Sequence, residues 1–170
     1  MSAATIREAL EKAERVFAVK PELAAKQAAS ATARIVDGLR CDISGPAGER
    51  ASSDMVRAFG GAESAPSPGW YLRAGMAACT ATGITMRAAK LGIVLTELEV
   101  SVHARADARG WLGMGDVSAA HSELRMHVRV GAEGLSAQRL RELVEWCEAH
   151  SAVSCTVRAD PKIDLDIEVV

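Results

Sequence analysis

The chain has 170 residues and a mass of 17.9 kDa, the size of a single domain. Apolar residues make up 49% of the sequence and aromatic residues only 4%, so the expected core is aliphatic. A formal net charge of −2 argues against a nucleic-acid-binding protein. No stretch reaches the roughly 18 apolar residues of a membrane span, and the charged N-terminus is unlike a signal peptide. We therefore expect a cytoplasmic protein with no nucleic-acid or membrane partner.

The first predicted element is an amphipathic helix over residues 5–18. A T-x-x-E capping box that starts at Thr5 precedes its apolar residues. A second short helical stretch is predicted from Pro21. We assign residues 1–28 to a helical N-terminal extension and residues 29–170 to the main domain.

Strands are predicted next, because β-branched residues and partial alternation replace the helical pattern. Residues 31–45 indicate one strand or a bent pair of strands, and residues 49–56 indicate a weak second strand. Glycine and proline mark a turn over residues 45–49 and a loop over residues 59–69. These segments predict a small antiparallel sheet ahead of the longest helix.

The longest predicted helix begins at Pro68, which follows the N-capping hydroxyl of Ser67, and ends near Gly92. Between Ala74 and Met86 it carries no charge on any face. A helix that is uncharged all round is typical of a buried position. We therefore expect this helix at the centre of the fold. It needs more surrounding protein to bury all of its faces than one small domain readily supplies.

The remaining elements are a hairpin, a helix and a last strand. Apolar and polar residues alternate over residues 93–107 and 121–131, with a glycine-rich connection between them. Ser136 caps a helix that continues to about residue 150. A turn near residues 151–154 and a strand over residues 162–170 complete the prediction.

Two stretches of this order resemble the OsmC/Ohr family of thiol peroxidases. The first has a Gly60-Gly61 pair, a loop, Pro68 and then an apolar helix with Cys79 eleven residues after the proline. The second is LRELVEWCEAHSAVSCTV, the last helix and the turn after it, where the family carries a C-P-V-S-like motif. The order of strands and helices agrees from about residue 30 onward.

The resemblance implies an α+β fold in which antiparallel sheets wrap a long buried central helix. It also implies an intertwined homodimer, with the active site at the dimer interface. A homodimer agrees with the uncharged helix segment, because a second copy of the chain could bury the faces that one domain leaves exposed.

The resemblance also implies a chemistry centred on Cys79, the counterpart of the reactive cysteine. Such a cysteine attacks a hydroperoxide as a thiolate, and a nearby cation or hydrogen bonds must lower its pKa. The family takes an activating arginine from its early strands, and we select Arg40 for this role. The Ohr branch adds a glutamate at a position where this chain has Gly69. The resolving cysteine of the family corresponds to Ser151, and a serine forms no disulfide.

Several alternatives follow from that serine. Cys147 lies one helical turn before Ser151 and is a possible alternative resolving thiol, as is Cys155 after it. A simpler interpretation is that Cys147 and Cys155, like Cys41, are small apolar residues without a redox role. Cys79 can also work alone with a small thiol reductant.

A different class of function is a catalytically impaired OsmC-like dimer that binds an apolar small molecule. The four cysteines form no CxxC zinc pattern, and we expect neither a metal nor a cofactor.

Overall fold

Residues 2–170 are described by a computed structural model, and they form two compact units. One unit comprises residues 7–75, and the other comprises residues 76–170 together with residues 2–6. Helices and antiparallel sheets are both present, which confirms the predicted α+β class. Within the described residues, no helix is both long and apolar enough to span a membrane.

The N-terminal helix α1 spans Ala3–Val19, in agreement with the prediction. Its first turn is capped by Ser2, whose hydroxyl accepts a hydrogen bond from the Thr5 backbone at 3.2 Å, so the predicted capping box at Thr5 is wrong. The second helical stretch is also wrong beyond one 3-10 turn at Pro21–Leu23. That segment is exposed, and a short helix without packing partners is marginal in water.

Three short strands form the sheet of the first unit. Strands β1 (Thr32–Asp37), β2 (Arg40–Ser44) and β3 (Arg50–Ser53) lie in sequence order and pair antiparallel. The bent pair of strands predicted over residues 31–45 is therefore confirmed as a hairpin, with Gly38 at its turn in a left-handed conformation.

A buried carboxylate organises the loop that follows this sheet. Asp54 is 2% exposed, and its side chain accepts hydrogen bonds from the backbones of Met55, Ala62 and Ser64 at 2.8 to 3.2 Å. The Ser64 hydroxyl donates a further bond at 2.9 Å. The backbone bond from Ser64 is the largest cause that lowers the pKa of Asp54, which is therefore held ionised.

The glycine pair in this loop is required by the backbone itself. Gly60 ends a 3-10 turn with a positive φ of 87°, a conformation that L side chains rarely adopt. A Cβ atom on Gly61 would collide with the backbone carbonyl of Met55. The pair therefore allows the loop to fold back tightly before the central helix.

The central helix α2 spans Pro68–Leu91. Its first turn closes on the backbone carbonyl of Ser67. It ends at Gly92, where φ is +71° and the next amide, of Ile93, bonds back to Ala88 at 2.9 Å. Both predicted ends are thus confirmed, with the C-terminal bonding of a Schellman-type cap.

Helix α2 is buried along one face and exposed along another in the single chain. The buried positions are Met76, Thr80, Ile84, Ala88 and Ala89. The exposed positions recur at helical spacing and are uncharged: Ala78, Thr82, Thr85 and Met86. The single chain therefore leaves uncovered a face that the sequence pattern predicts to be buried.

The predicted hairpin is present as strands β4 (Leu95–Arg105) and β5 (Ser122–Ala132), paired antiparallel in a two-stranded sheet. A one-turn helix α3 (Ala108–Trp111) lies in the connection between them. One face of the hairpin packs on the core cluster Ile84, Ala88, Leu143 and Cys147. The alternation of apolar and polar residues is thereby explained, because only one face meets the core.

Two helices complete the second unit. Helix α4 spans Ala137–Ala149 and is capped by Ser136 as predicted, with a hydrogen bond from the Arg139 backbone at 3.3 Å. The turn predicted near residues 151–154 is wrong, because helix α5 (Ala152–Ala159) starts there.

The last predicted strand is also wrong for the single chain. Residues 160–170 take no regular secondary structure, and Ile163 and Val169 are both 89% exposed. An alternating sequence forms a strand only where a sheet edge pairs with its backbone. This segment has the side-chain pattern of a strand without such a pairing.

Candidate functional site

Cys79 lies in the middle of helix α2 and is partly buried, so its sulfur remains reachable from solvent. Helix α4 contacts the part of α2 that follows Cys79. Gly83 of α2, one turn after Cys79, faces Cys147, since a Cβ built on Gly83 would lie 3.8 Å from the Cys147 Cβ. One turn further on, the Arg87 guanidinium lies 4.2 Å from the centroid of the Trp146 ring.

Ser151 lies at the junction of α4 and α5 and is 3% exposed. Its backbone is extended, and its hydroxyl accepts a hydrogen bond from the Ser154 backbone at 3.4 Å. Ser151 is therefore the N-cap of α5, one of the residue types that best satisfy a free amide at a helix start.

The thiol of Cys79 lies next to this helix start. A hydrogen bond from the Ser151 hydroxyl is the largest cause that lowers the pKa of the Cys79 thiol, followed by one from the Val153 backbone amide. Burial opposes this lowering, and the Ala152 amide adds a smaller contribution to it. The two amides belong to the first turn of α5, where backbone N–H groups have no partner within the helix. Partial positive charge at a helix start stabilises an anion, so the site favours a thiolate.

Two of the predicted site residues, Cys79 and Ser151, thus lie together. The sequence did not predict that Ser151 caps α5 and lowers the pKa of Cys79. The sequence indicated only a lost thiol at this position. The signal that could have found the role is the pattern S-x-x-S after a helix end, which is a capping sequence as well as a turn.

Cys147 is placed differently from Cys79. It is 2% exposed in the core cluster, and burial raises the pKa of its thiol. Because a thiolate is the attacking form, these surroundings disfavour Cys147 as a nucleophile. The role of Cys147 as an alternative resolving thiol stays a prediction, and its buried position argues against that role.

Cys155 faces the end of α4. Its thiol donates to the backbone carbonyl of Ala149 at 3.2 Å, and its sulfur lies 3.3 Å from the Arg158 guanidinium. Arg158 is in turn bound by both carboxylate oxygens of Glu148 at 2.7 and 2.8 Å. Cys155 is thus held in a local network of α4 and α5.

Arg40, the predicted activating cation, belongs to the first unit. Its guanidinium donates to Ser64 at 2.9 Å and to Ser52 at 3.2 Å, and lies 3.8 Å from the Asp42 carboxylate. These contacts hold Arg40 in one position at the start of β2, beside Cys41 in the sequence. Its action on Cys79 stays a prediction.

No group of three or more His, Cys, Asp or Glu side chains within residues 2–170 is arranged to hold a metal ion. All four cysteines are free thiols. The candidate site therefore consists of a thiol with a lowered pKa, the buried Ser151 hydroxyl and the start of α5.

Comparison with known proteins gives one family. The sequence profile described as OsmC-like protein matches residues 60–166, more than half of the chain, whereas no curated protein matches it. Several solved structures resemble this chain in fold, and three bacterial examples are described next.

The first is an organic hydroperoxide resistance protein, OsmC, from Legionella pneumophila, with 21% identity, a TM-score of 0.60, and coverage of 79% of this chain and 91% of that one. An OsmC-like protein from Mycoplasma pneumoniae gives 14% identity, a TM-score of 0.67, and coverage of 79% and 89%. The organic hydroperoxide resistance protein OhrB of Bacillus subtilis gives 21% identity, a TM-score of 0.53, and coverage of 80% and 94%. The profile match and the shared α+β fold establish that this chain belongs to the family of OsmC-like proteins.

Proposed function

We propose that this protein is a thiol-dependent hydroperoxide reductase of the OsmC-like type, with Cys79 as the attacking thiol, in defence against oxidative stress. The single observation that carries the proposal is the position of the Cys79 sulfur at the start of α5, where Ser151, Val153 and Ala152 lower the pKa of its thiol. Two of the three solved structures described above are named organic hydroperoxide resistance proteins, which supports the same substrate class.

The proposed reaction needs little beyond what this site offers. The thiolate attacks one oxygen of the O–O bond, the sulfur becomes a sulfenic acid, and the organic part leaves as an alcohol. A thiol reductant then restores Cys79. The reductant belongs to a reducing compartment, which is consistent with the cytoplasmic location predicted from the sequence.

Peroxide treatment of the purified protein tests this proposal. We expect cumene hydroperoxide to consume the Cys79 thiol within minutes, measured by thiol titration and by peptide mass spectrometry of the modified residue. Cys41, in the same sample, serves as an internal control and should react far more slowly, because no hydrogen-bond donor to its sulfur is found among residues 2–170. An intact Cys79 after hours in millimolar peroxide would refute the proposal.

That negative outcome would favour the second candidate function, a catalytically impaired dimer that binds an apolar small molecule. The observation in its favour is a groove between β5 and α4. Its lining combines the apolar side chains Val128, Val130, Leu140 and Val144 with several charged residues. Pockets for small molecules are commonly apolar with a few polar groups.

We further propose that the protein is a homodimer in which a second copy covers the exposed face of α2. The support is the uncharged exposed row Ala78, Thr82, Thr85 and Met86, in a helix segment without any charge. Exposed uncharged helix faces of this kind are typical of interaction surfaces.

Charge introduced into that face tests the dimer. We expect the wild type to sediment at twice the mass of the 17.9 kDa chain, and Thr82→Lys to sediment as a monomer, because a buried unpaired ammonium is costly. Leu23→Lys, at an exposed position in the N-terminal segment, is the matched control and should remain dimeric. A monomeric wild type at micromolar concentration would contradict the proposal.

A further inference from the structure

The Ser151 hydroxyl has one neighbour as its donor and another as its acceptor. A hydroxyl has one proton to donate and lone pairs that accept. The oxygen accepts the Ser154 amide as the cap of α5, which leaves the one proton for the Cys79 sulfur. A thiolate carries no proton and can only accept, so this arrangement matches the ionised form of Cys79.

The thiols nearest along the chain are poorly placed to complete a disulfide with Cys79. Cys147 lies in the core opposite Gly83, one helical turn away from Cys79, and is 2% exposed. Cys155 is tied to Ala149 and Arg158 at the end of α4. A disulfide requires the two Cα atoms to approach within roughly 7 Å with suitable directions. Pairing with Cys155 would require its contacts to break, and pairing with Cys147 would require a thiol to leave the core.

We infer, on the basis of the function proposed above, that the protein runs a one-cysteine cycle. In this cycle Ser151 is a catalytic residue that donates its hydroxyl proton to the Cys79 thiolate in a hydrogen bond. The thiol that reduces the oxidised sulfur comes from solution, as a thiol of low molecular mass, rather than from a second cysteine of the chain. The partial exposure of Cys79 gives such a thiol access.

Each step of the cycle balances. The Cys79 thiolate and a hydroperoxide ROOH, with one proton from solvent, give the sulfenic acid and the alcohol ROH. A first thiol molecule R′SH condenses with the sulfenic acid, forms an S–S bond and releases water. A second R′SH attacks this mixed disulfide, releases R′SSR′ and returns Cys79 as a thiol. Two electrons pass from the two thiol molecules to the peroxide.

Intact-mass spectrometry after one equivalent of cumene hydroperoxide, without added thiol, tests this cycle. We expect the chain to gain the mass of one oxygen atom. In one half of the sample dimedone should trap this sulfenic acid at Cys79, and in the other half, without dimedone, added N-acetylcysteine should convert it to a mixed disulfide. Loss of two hydrogen atoms, with Cys79 linked to Cys41, Cys147 or Cys155, would overturn the inference and leave the proposed function intact. An unmodified Cys79 would refute the proposed function itself.

Substitutions at Ser151 test its role separately. Ser151→Ala should move the midpoint of Cys79 alkylation by iodoacetamide to higher pH and slow the reaction below that midpoint about tenfold, because a donor to the thiolate is lost. Ser151→Thr should retain the wild-type profile. Ser154→Ala is the matched control: its hydroxyl is buried in the same helix turn and has no partner among residues 2–170, so its profile should not change.

Ser151→Cys tests whether position 151 lies within bonding reach of the Cys79 sulfur. We expect peroxide to convert this variant to a Cys79–residue 151 disulfide, with loss of two hydrogen atoms and no dimedone adduct. A wild-type alkylation profile in Ser151→Ala, or a persistent sulfenic acid in Ser151→Cys, would overturn the assignment of Ser151.

Discussion

Cys79→Ser is expected to reduce hydroperoxide turnover by at least about 100-fold, because a hydroxyl is a far weaker nucleophile than a thiolate at neutral pH. The substitution changes one atom in a partly buried position and removes no core contact, so the fold should survive. The measurement is cumene hydroperoxide consumption with a small thiol as reductant, followed by a colorimetric peroxide assay.

Cys155→Ser is the matched control for that variant. Its thiol donates to a backbone carbonyl, a bond that serine can also make, so turnover should stay close to that of the wild type. Thermal unfolding of both variants separates lost chemistry from lost folding. Full activity in Cys79→Ser, with an unchanged unfolding temperature, would show that another thiol carries the reaction.

Ile84→Ala is expected to lower the free energy of unfolding by about 2 to 5 kcal/mol. Ile84 is 0% exposed and lies in the core cluster with Leu143 and Cys147. Its truncation removes buried apolar surface and leaves a cavity between α2 and α4, which the helix backbones cannot fill. Urea unfolding followed by circular dichroism, at one fixed protein concentration, measures the change.

Ile163→Ala provides the same chemical change at a position that is 89% exposed. We expect it to alter the free energy of unfolding by less than about 0.5 kcal/mol. Equal losses in the two variants would contradict the assignment of Ile84 to the core. A reduced denaturant slope for Ile84→Ala would instead indicate a change in compactness or a departure from two-state unfolding.

The elements that the sequence predicted well are those whose signals are local. Pro68 and Gly92 mark the ends of α2 because a missing amide and a positive φ act within one turn of the chain. The hairpin β4–β5 follows from alternation over a single strand. The family resemblance around Cys79 also depends on spacing within one helix and its loop, and the profile match over residues 60–166 confirms it.

The elements that the sequence misassigned depend on what lies nearby in space. Residues 162–170 alternate like a strand, yet the single chain offers their backbone no sheet edge. The segment of α2 from Ala74 to Met86 is uncharged on every side, yet Thr82 and Met86 are exposed in the single chain. The pattern of apolar and polar residues indicates which side chains are buried, but it does not identify the surface that buries them.

The sequence by itself determined the α+β class, the central helix and Cys79 as its reactive-thiol candidate. Only the tertiary structure decided what Ser151 does. The sequence shows a serine where the family resemblance places a second thiol. The fold places that serine at the start of α5 and against Cys79, where its hydroxyl lowers the pKa of the thiol. The difference arises because a hydrogen bond between residues far apart in the chain is fixed by the packing of α2 beside α4 and α5, which leaves no trace in residue spacing.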